Sequence, residues 1–295
     1  MKPRRSSNNP RRTVLFSTTA LLIIAVAVAT VWTSYNRHER GLGSPATEPL
    51  GHVHGLGVDP ADGMLYSATH YGLFRLPEGG KPERVSDLRQ DTMSFTVVGP
   101  GHFLGSGHPD PRTGEAQANL GLIESTDTGR TWHPLSLSGQ VDFHSLEAKH
   151  GKVVGHSRTA GALLSSEDRT SWERLATAPL ADFTVSPASP EELVATTEQG
   201  PIRSTDGGRN FTSTPNTPLL YLLDWSKPDQ LHGLDPRGRA FMSPDGGTTW
   251  EARGQLGSTP QAMTVDRDRW YVATANAVLV SSDGGRTFTT RTPFT

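Results

Sequence analysis

STDTGRTW at residues 125–132 is the first of five related octapeptides, followed by SSEDRTSW (165–172), STDGGRNF (204–211), SPDGGTTW (243–250) and SSDGGRTF (281–288). Their first serines, Ser125, Ser165, Ser204, Ser243 and Ser281, stand 40, 39, 39 and 38 residues apart. A self-similar period of that length, with short alternating runs between the copies, signals one supersecondary unit repeated in an array. Each copy carries its own turn chemistry: an Asp accepts bonds from backbone N–H groups a few residues on, and Gly supplies the positive φ of a tight hairpin. The closing Trp or Phe can then wedge between neighbouring sheets. Each octapeptide therefore reads as the hairpin between the third and fourth strands of a four-stranded sheet. Asp127, Asp168, Asp206, Asp245 and Asp283 read as structural, because function rarely needs five equivalent carboxylates whereas closing a ring does.

The pattern Ser-x-Asp-x-Gly-x-Thr-Trp resembles the Asp box, or BNR repeat, of the sialidase-like and sortilin-like β-propellers. The resemblance spans residues 50–295 and implies an all-β ring of four-stranded antiparallel blades. A degenerate first copy completes it. HYGLFRLPEGGKPER (70–84) aligns with NLGLIESTDTGRTWH (119–133), which sets LFR over LIE and PEGG over TDTG. The step from Leu76 to Ser125 is 49 residues, and its surplus sits in the loop SGHPDPRTGEAQANLG (106–121). The inner-strand cores are VHGLGV (53–58), MSFTVV (93–98), FHSLEA (143–148), ADFTVS (181–186), LLDWS (222–226) and AMTVD (262–266). Six units of about 40 residues fill residues 50–295 and predict a single six-bladed β-propeller.

Composition agrees: 31 Gly, 22 Pro and 34% hydrophobic residues in 295 suit many short strands and turns. A net charge of -2 gives no electrostatic footprint for nucleic acid, and the lack of cysteine excludes disulfides and thiolate metal sites. Residues 1–12 carry five basic residues and no acid, and residues 13–33 then run without a charge. That length spans a hydrocarbon core, and the basic flank holds the N-terminus in the cytoplasm. The expectation is a transmembrane anchor at 13–33, a flexible linker at 34–49 and a propeller outside the membrane. Ala27-Val28-Ala29 offers a small-residue cleavage site, and cleavage after Ala29 would give a secreted protein.

Aligning the units places polar side chains at one mouth of the channel, where inner strands begin and second strands end. His54, Met93 and His144 form one layer, matched in the later units by Ala181, Leu222 and Gln261; His52, Asp91 and Asp142 form the next. His70 and His108 close the second strands as an outer layer, matched further round by Arg158, Glu198 and Asn276. Residues i and i+2 of a strand share a side, so His52 and His54 can both face the channel. Imidazoles with one thioether suit copper or zinc, Met favouring Cu(I) and His favouring Zn(II) or Cu(II). A polar, metal-free mouth is the plainer alternative.

The Asp-box resemblance raises two functions. Sialidase-like propellers are exo-glycoside hydrolases with an arginine cluster, a Tyr/Glu nucleophile pair and an acid/base Asp. This chain lacks the Arg-Ile-Pro motif of the first sialidase blade, and PIRS (201–204) reverses it in a late unit. Asp91, Asp142 and Glu147 are the carboxylates available to a glycosidase mechanism. Sortilin-type receptors and photosystem assembly factors instead hold protein or peptide ligands, and an anchored propeller facing outward suits that role. The leading expectation is a noncatalytic recognition or assembly module for a protein, peptide or glycan, with a glycoside hydrolase as the alternative.

Overall fold

The computed structural model describes residues 50–114 and 117–294. Twenty-four strands form six four-stranded antiparallel sheets, each using four strands consecutive in the chain. The molecule is a six-bladed β-propeller. The inner strands are Val53–Val58, Asp91–Gly99, Phe143–Lys149, Asp182–Val185, Leu222–Lys227 and Ala262–Asp266. Each neighbours the next around the axis, and the sixth meets the first. The expected anchor (13–33), its basic flank and the linker (34–49) lie outside the described residues. Among the described residues, no helix is long and apolar enough to cross a membrane.

Burial explains why the blades are written as they are. Second strands such as Leu65–Thr69 (LYSAT) and Leu193–Thr197 (LVATT) are buried at every residue. Both of their faces meet a neighbouring blade, which favours small and β-branched side chains over polar alternation. Outer strands such as Glu251–Gln255 are largely exposed. Apolar side chains gather into six clusters, one per seam: Phe95 and Phe103 of blade 2 pack with Tyr66 and Leu73 of blade 1, for example, and Val265 and Trp270 of blade 6 with Leu234 and Ala240 of blade 5. With about 1.5–3 kcal/mol gained per buried Leu or Phe, these seams hold the ring together.

Among the described residues, no strand is exchanged between the first and last blades, so closure there rests on side chains and loops. Leu50, Val53 and Phe74 pack with Tyr271, Val278 and Phe294. Val53 N–H donates to Gln261 Oε1 at 3.1 Å, Arg291 Nη1 to Leu76 O at 2.7 Å and Thr292 Oγ1 to Pro77 O at 3.0 Å.

The repeated turns share one bonding scheme. In the fourth blade Ser204 Oγ donates to Asp206 Oδ1 at 2.8 Å and accepts from Gly208 N–H at 2.9 Å, while Asp206 Oδ1 also accepts from Asn210 N–H at 2.9 Å. Asp127, Asp245 and Asp283 accept in the same way from Thr131, Thr249 and Thr287. These donors hold the carboxyls of Asp127, Asp206, Asp245 and Asp283 below the ordinary carboxylate range, hydrogen bonds outweighing whatever burial opposes them. The second glycine of the turn also packs on the preceding blade: a Cβ at Gly208 would sit 2.7 Å from Leu163, and φ is +86° there.

Two details refine this scheme. In blade 3 the bonding serine is Ser166, not Ser165: its Oγ meets Asp168 Oδ1 at 3.2 Å, so this turn is one residue shorter than the others. Trp132, Trp172, Phe211, Trp250 and Phe288 do pack against the seam clusters, but they are half-buried at the rim. The fully buried large rings are Trp225, Trp270, Phe103 and Phe143 on inner and second strands.

Candidate functional site

Three successive inner strands carry a β-bulge at their first turnward residues. In blade 1, Gly55 pairs with Ala68 and Val53 with Thr69, which leaves His54 as the extra residue. In blade 2 the extra residue is Met93, and in blade 3 it is His144. A bulge re-aims its side chain and commonly marks a functional rim. The inner strands of blades 4 and 6 are regular, and that of blade 5 is irregular only at its far end, between Trp225 and Lys227. The layer of His54, Met93 and His144 thus has no fourth, fifth or sixth member. Leu222, expected to match them, lies in the regular ladder opposite Leu234.

The bulges gather imidazoles between blades 1 and 2. His54 Nε2 lies 3.1 Å from His70 Nδ1, His70 Nδ1 lies 2.9 Å from Asp91 Oδ1, and Asp91 Oδ1 lies 3.5 Å from His54 Nε2. His52 completes the group, its ring centroid 4.8 Å from that of His54 and 5.9 Å from that of His70. His70, expected in an outer layer, lies on the outer side and bridges His54 and Asp91. The His54 side chain is 5% exposed and that of His70 29%, so the cluster runs from the interior to the mouth. Burial, aided by neighbouring His70, pushes His52 down to about 4 against the pull of Asp91. Burial and then His70, His52, His144 and His108 hold His54 well below the ordinary imidazole value. Both rings are neutral at neutral pH.

A second group stands beside it. His144 Nε2 lies 2.6 Å and His108 Nε2 3.7 Å from Asp142 Oδ2, while Asp142 Oδ1 is buried with no hydrogen-bond partner. His108 is set by the long loop of blade 2, its Nδ1 lying 2.8 Å from Ala118 O. That loop is itself pinned where buried Asp110 accepts from Arg89 N–H at 2.8 Å and from Arg112 N–H at 2.9 Å. Met93 is buried at its bulge.

Deeper in the channel the carboxylates are committed to holding blades together. Glu147 accepts from Val185 N–H at 2.5 Å and pairs with Lys149 Nζ at 2.6 Å, and Lys149 reaches Val185 O and Trp225 O, both at 2.9 Å. Asp182 Oδ2 accepts from Leu223 N–H, and Asp224 Oδ2 from Val265 N–H, each at 2.9 Å. Glu147, a sequence candidate for catalysis, is thus tied between blades 3 and 4. The sequence reading missed Lys149, Asp182 and Asp224; the signal available was a charged residue inside an inner strand. It also passed over His156 and His232, both buried, the latter against the Trp270 ring with centroids 4.6 Å apart. Tyr66 and Tyr271 lie in seam clusters.

No protein-family model and no curated protein matches the sequence. Solved structures similar in fold include YCF48 bound to D1 peptide, 14% identical, with a TM-score of 0.57 over 80% of this chain and 94% of that one. The GH74 enzyme of Niastella koreensis is 17% identical, with a TM-score of 0.58 over 84% of this chain and 46% of that longer one. A catalytically inactive virginiamycin B lyase from Staphylococcus aureus, solved with quinupristin, is 12% identical with a TM-score of 0.54 over 84% and 87%. At these identities the likeness is one of fold: the chain is a β-propeller, and its chemistry has to be read from its own residues.

Proposed function

We propose that this chain is a noncatalytic recognition module of the Asp-box type, tethered to the membrane by residues 13–33, whose histidine-lined mouth holds a protein or peptide ligand outside the cytoplasm. The observation that carries this reading is the division of the channel. Its histidine-lined mouth is built by the three bulged strands of blades 1–3, while the carboxylates below it are consumed by bonds between blades. A ligand therefore meets imidazole and carboxylate groups at the rim, with Glu147 withheld behind them by Lys149. The fold likeness to a peptide-bound YCF48 supports a peptide-sized partner.

A glycoside hydrolase is the competing reading, and Asp91, which opens the inner strand of blade 2, and Asp142, just before that of blade 3, are the observation that favours it. One comparison separates the two. Purified full chain is offered a panel of sialosides and other glycosides, and its protein or peptide partner is sought with wild type, His108→Ala/Arg158→Ala and, from the opposite face, Arg130→Ala. Recognition predicts no turnover and partner binding lost only in the mouth variant. Turnover abolished by Asp91→Asn or Asp142→Asn would replace this function with hydrolysis.

A further inference from the structure

We propose that His52, His54, His70 and Asp91 form a binding site for a divalent first-row transition metal, zinc or copper(II). Three donor atoms, His54 Nε2, His70 Nδ1 and Asp91 Oδ1, make a triangle with edges of 3.1, 2.9 and 3.5 Å. Donors at the roughly 2.0–2.1 Å of zinc–nitrogen and zinc–oxygen bonds, set tetrahedrally, stand about 3.4 Å apart. The triangle already has the size that a metal imposes. His52, His54 and His70 each offer a ring nitrogen within 4.8 Å of the others, so a small side-chain movement brings the third imidazole into the set.

Proton counting points the same way. A neutral imidazole carries one N–H, and an ionised carboxylate only accepts. If His70 Nδ1 carries its proton and donates to Asp91, a lone pair on His54 Nε2 faces the anionic oxygen; if His54 Nε2 donates, a lone pair on His70 Nδ1 does. With both protonated, two N–H groups oppose each other across 3.1 Å. A proton on His70 Nδ1 serves the two shorter edges and leaves the His54 Nε2 lone pair facing Asp91 Oδ1 across 3.5 Å, a contact that a cation among the three atoms would make attractive.

The surroundings favour a cation as well. Asp142 lies in the adjacent blade with its buried Oδ1 unpartnered. Neutral nitrogen donors with carboxylate oxygen suit zinc and copper(II), copper binding tighter in the usual divalent order. Such a site would pin blade 1 to blade 2 at the mouth.

The test uses the untagged full chain in mild detergent, stripped with a chelator and titrated calorimetrically with zinc chloride alone and copper(II) chloride alone. One ion per described site is expected. His54→Ala and His70→Ala should each weaken binding at least about 100-fold, beyond the roughly 10–100-fold typical of groups behind the ligands; His102→Ala and His150→Ala should leave it unchanged. X-ray absorption of the wild type, which does not depend on any variant folding, should show imidazole scattering in a shell near 2.0–2.1 Å. Absence of saturable binding by either metal, retention of binding in both histidine variants, or a shell without imidazole would overturn the proposal. Because no partner is present in these measurements, their failure leaves the recognition reading standing, and their success does not by itself support it.

Discussion

His70 Nδ1 lies 2.9 Å from Asp91 Oδ1, joining the end of the second strand of blade 1 to the start of the inner strand of blade 2. The contact spans a blade seam at the mouth, where apolar packing gives way to polar side chains. Replacing Asp91 by Ala should cost stability by about 1 kcal/mol, at the low end for a hydrogen bond to a charged group because both side chains are partly exposed. Chemical denaturation of the two proteins checks this; an unchanged midpoint would show that the pair contributes nothing to holding blades 1 and 2.

Stability should respond to pH through Asp182. Burial pushes its carboxyl up to about 7, against bonds from Leu223 N–H, Ser145 Oγ and Phe183 N–H. A raised pKa means that the folded state holds the proton more tightly, so the contribution is complete below the unfolded value near 3.9 and is lost as pH rises toward 7. The stability of wild type relative to Asp182→Asn should therefore fall between about pH 4 and 7, by at most about 4 kcal/mol. Denaturation at several pH values reads this difference, and a constant or rising one contradicts the assignment.

The turns should fail in proportion to what they bury. Ser204→Ala leaves the Gly208 N–H without its acceptor and should cost about 1–3 kcal/mol. Gly208→Ala adds a Cβ against Leu163 at a φ of +86°, for a further-reaching penalty that includes about 1–3 kcal/mol of backbone strain. Thermal melts of the two variants should both fall, with Gly208→Ala lower. Equal melting of Gly208→Ala and wild type would show that blade 4 does not need that glycine.

Much of this was legible before any coordinates. The period of the octapeptides, the degenerate copy at Leu76 and the surplus loop of blade 2 define six four-stranded blades, because turn chemistry and strand alternation are local properties of the chain. The matched positions of His52 with Asp91 and of His70 with His108 were legible for the same reason. What stayed hidden are single-residue events. A bulge adds one residue without changing the pattern around it, so His54, Met93 and His144 looked like members of a six-fold layer when they are insertions special to three blades. The one-residue deletion in the turn of Asp168 misled in the same way. The contact of His70 with Asp91, and of Glu147 with Val185, depends on distances across seams, which no local pattern encodes.

The proposed tether makes a prediction about sidedness. Protease added to intact cells should reach the propeller, while a tag before Lys2 stays protected. Detection of a soluble form beginning at Thr30 would replace the tether by a cleaved signal and leave the side of the membrane unchanged; protection of the propeller would reverse the orientation.

Recognition at the histidine-lined mouth requires that face of the ring, and not the face of the repeated turns, to meet the partner. Photo-crosslinking side chains placed singly at His108 and Arg158 on the mouth, and at Arg130 and Arg286 on the face of the repeated turns, report this directly in intact cells. A discrete adduct from positions 108 and 158, absent from 130 and 286, is the predicted result. Adducts from the turn face alone would contradict the assignment of the histidine-lined mouth as the binding site.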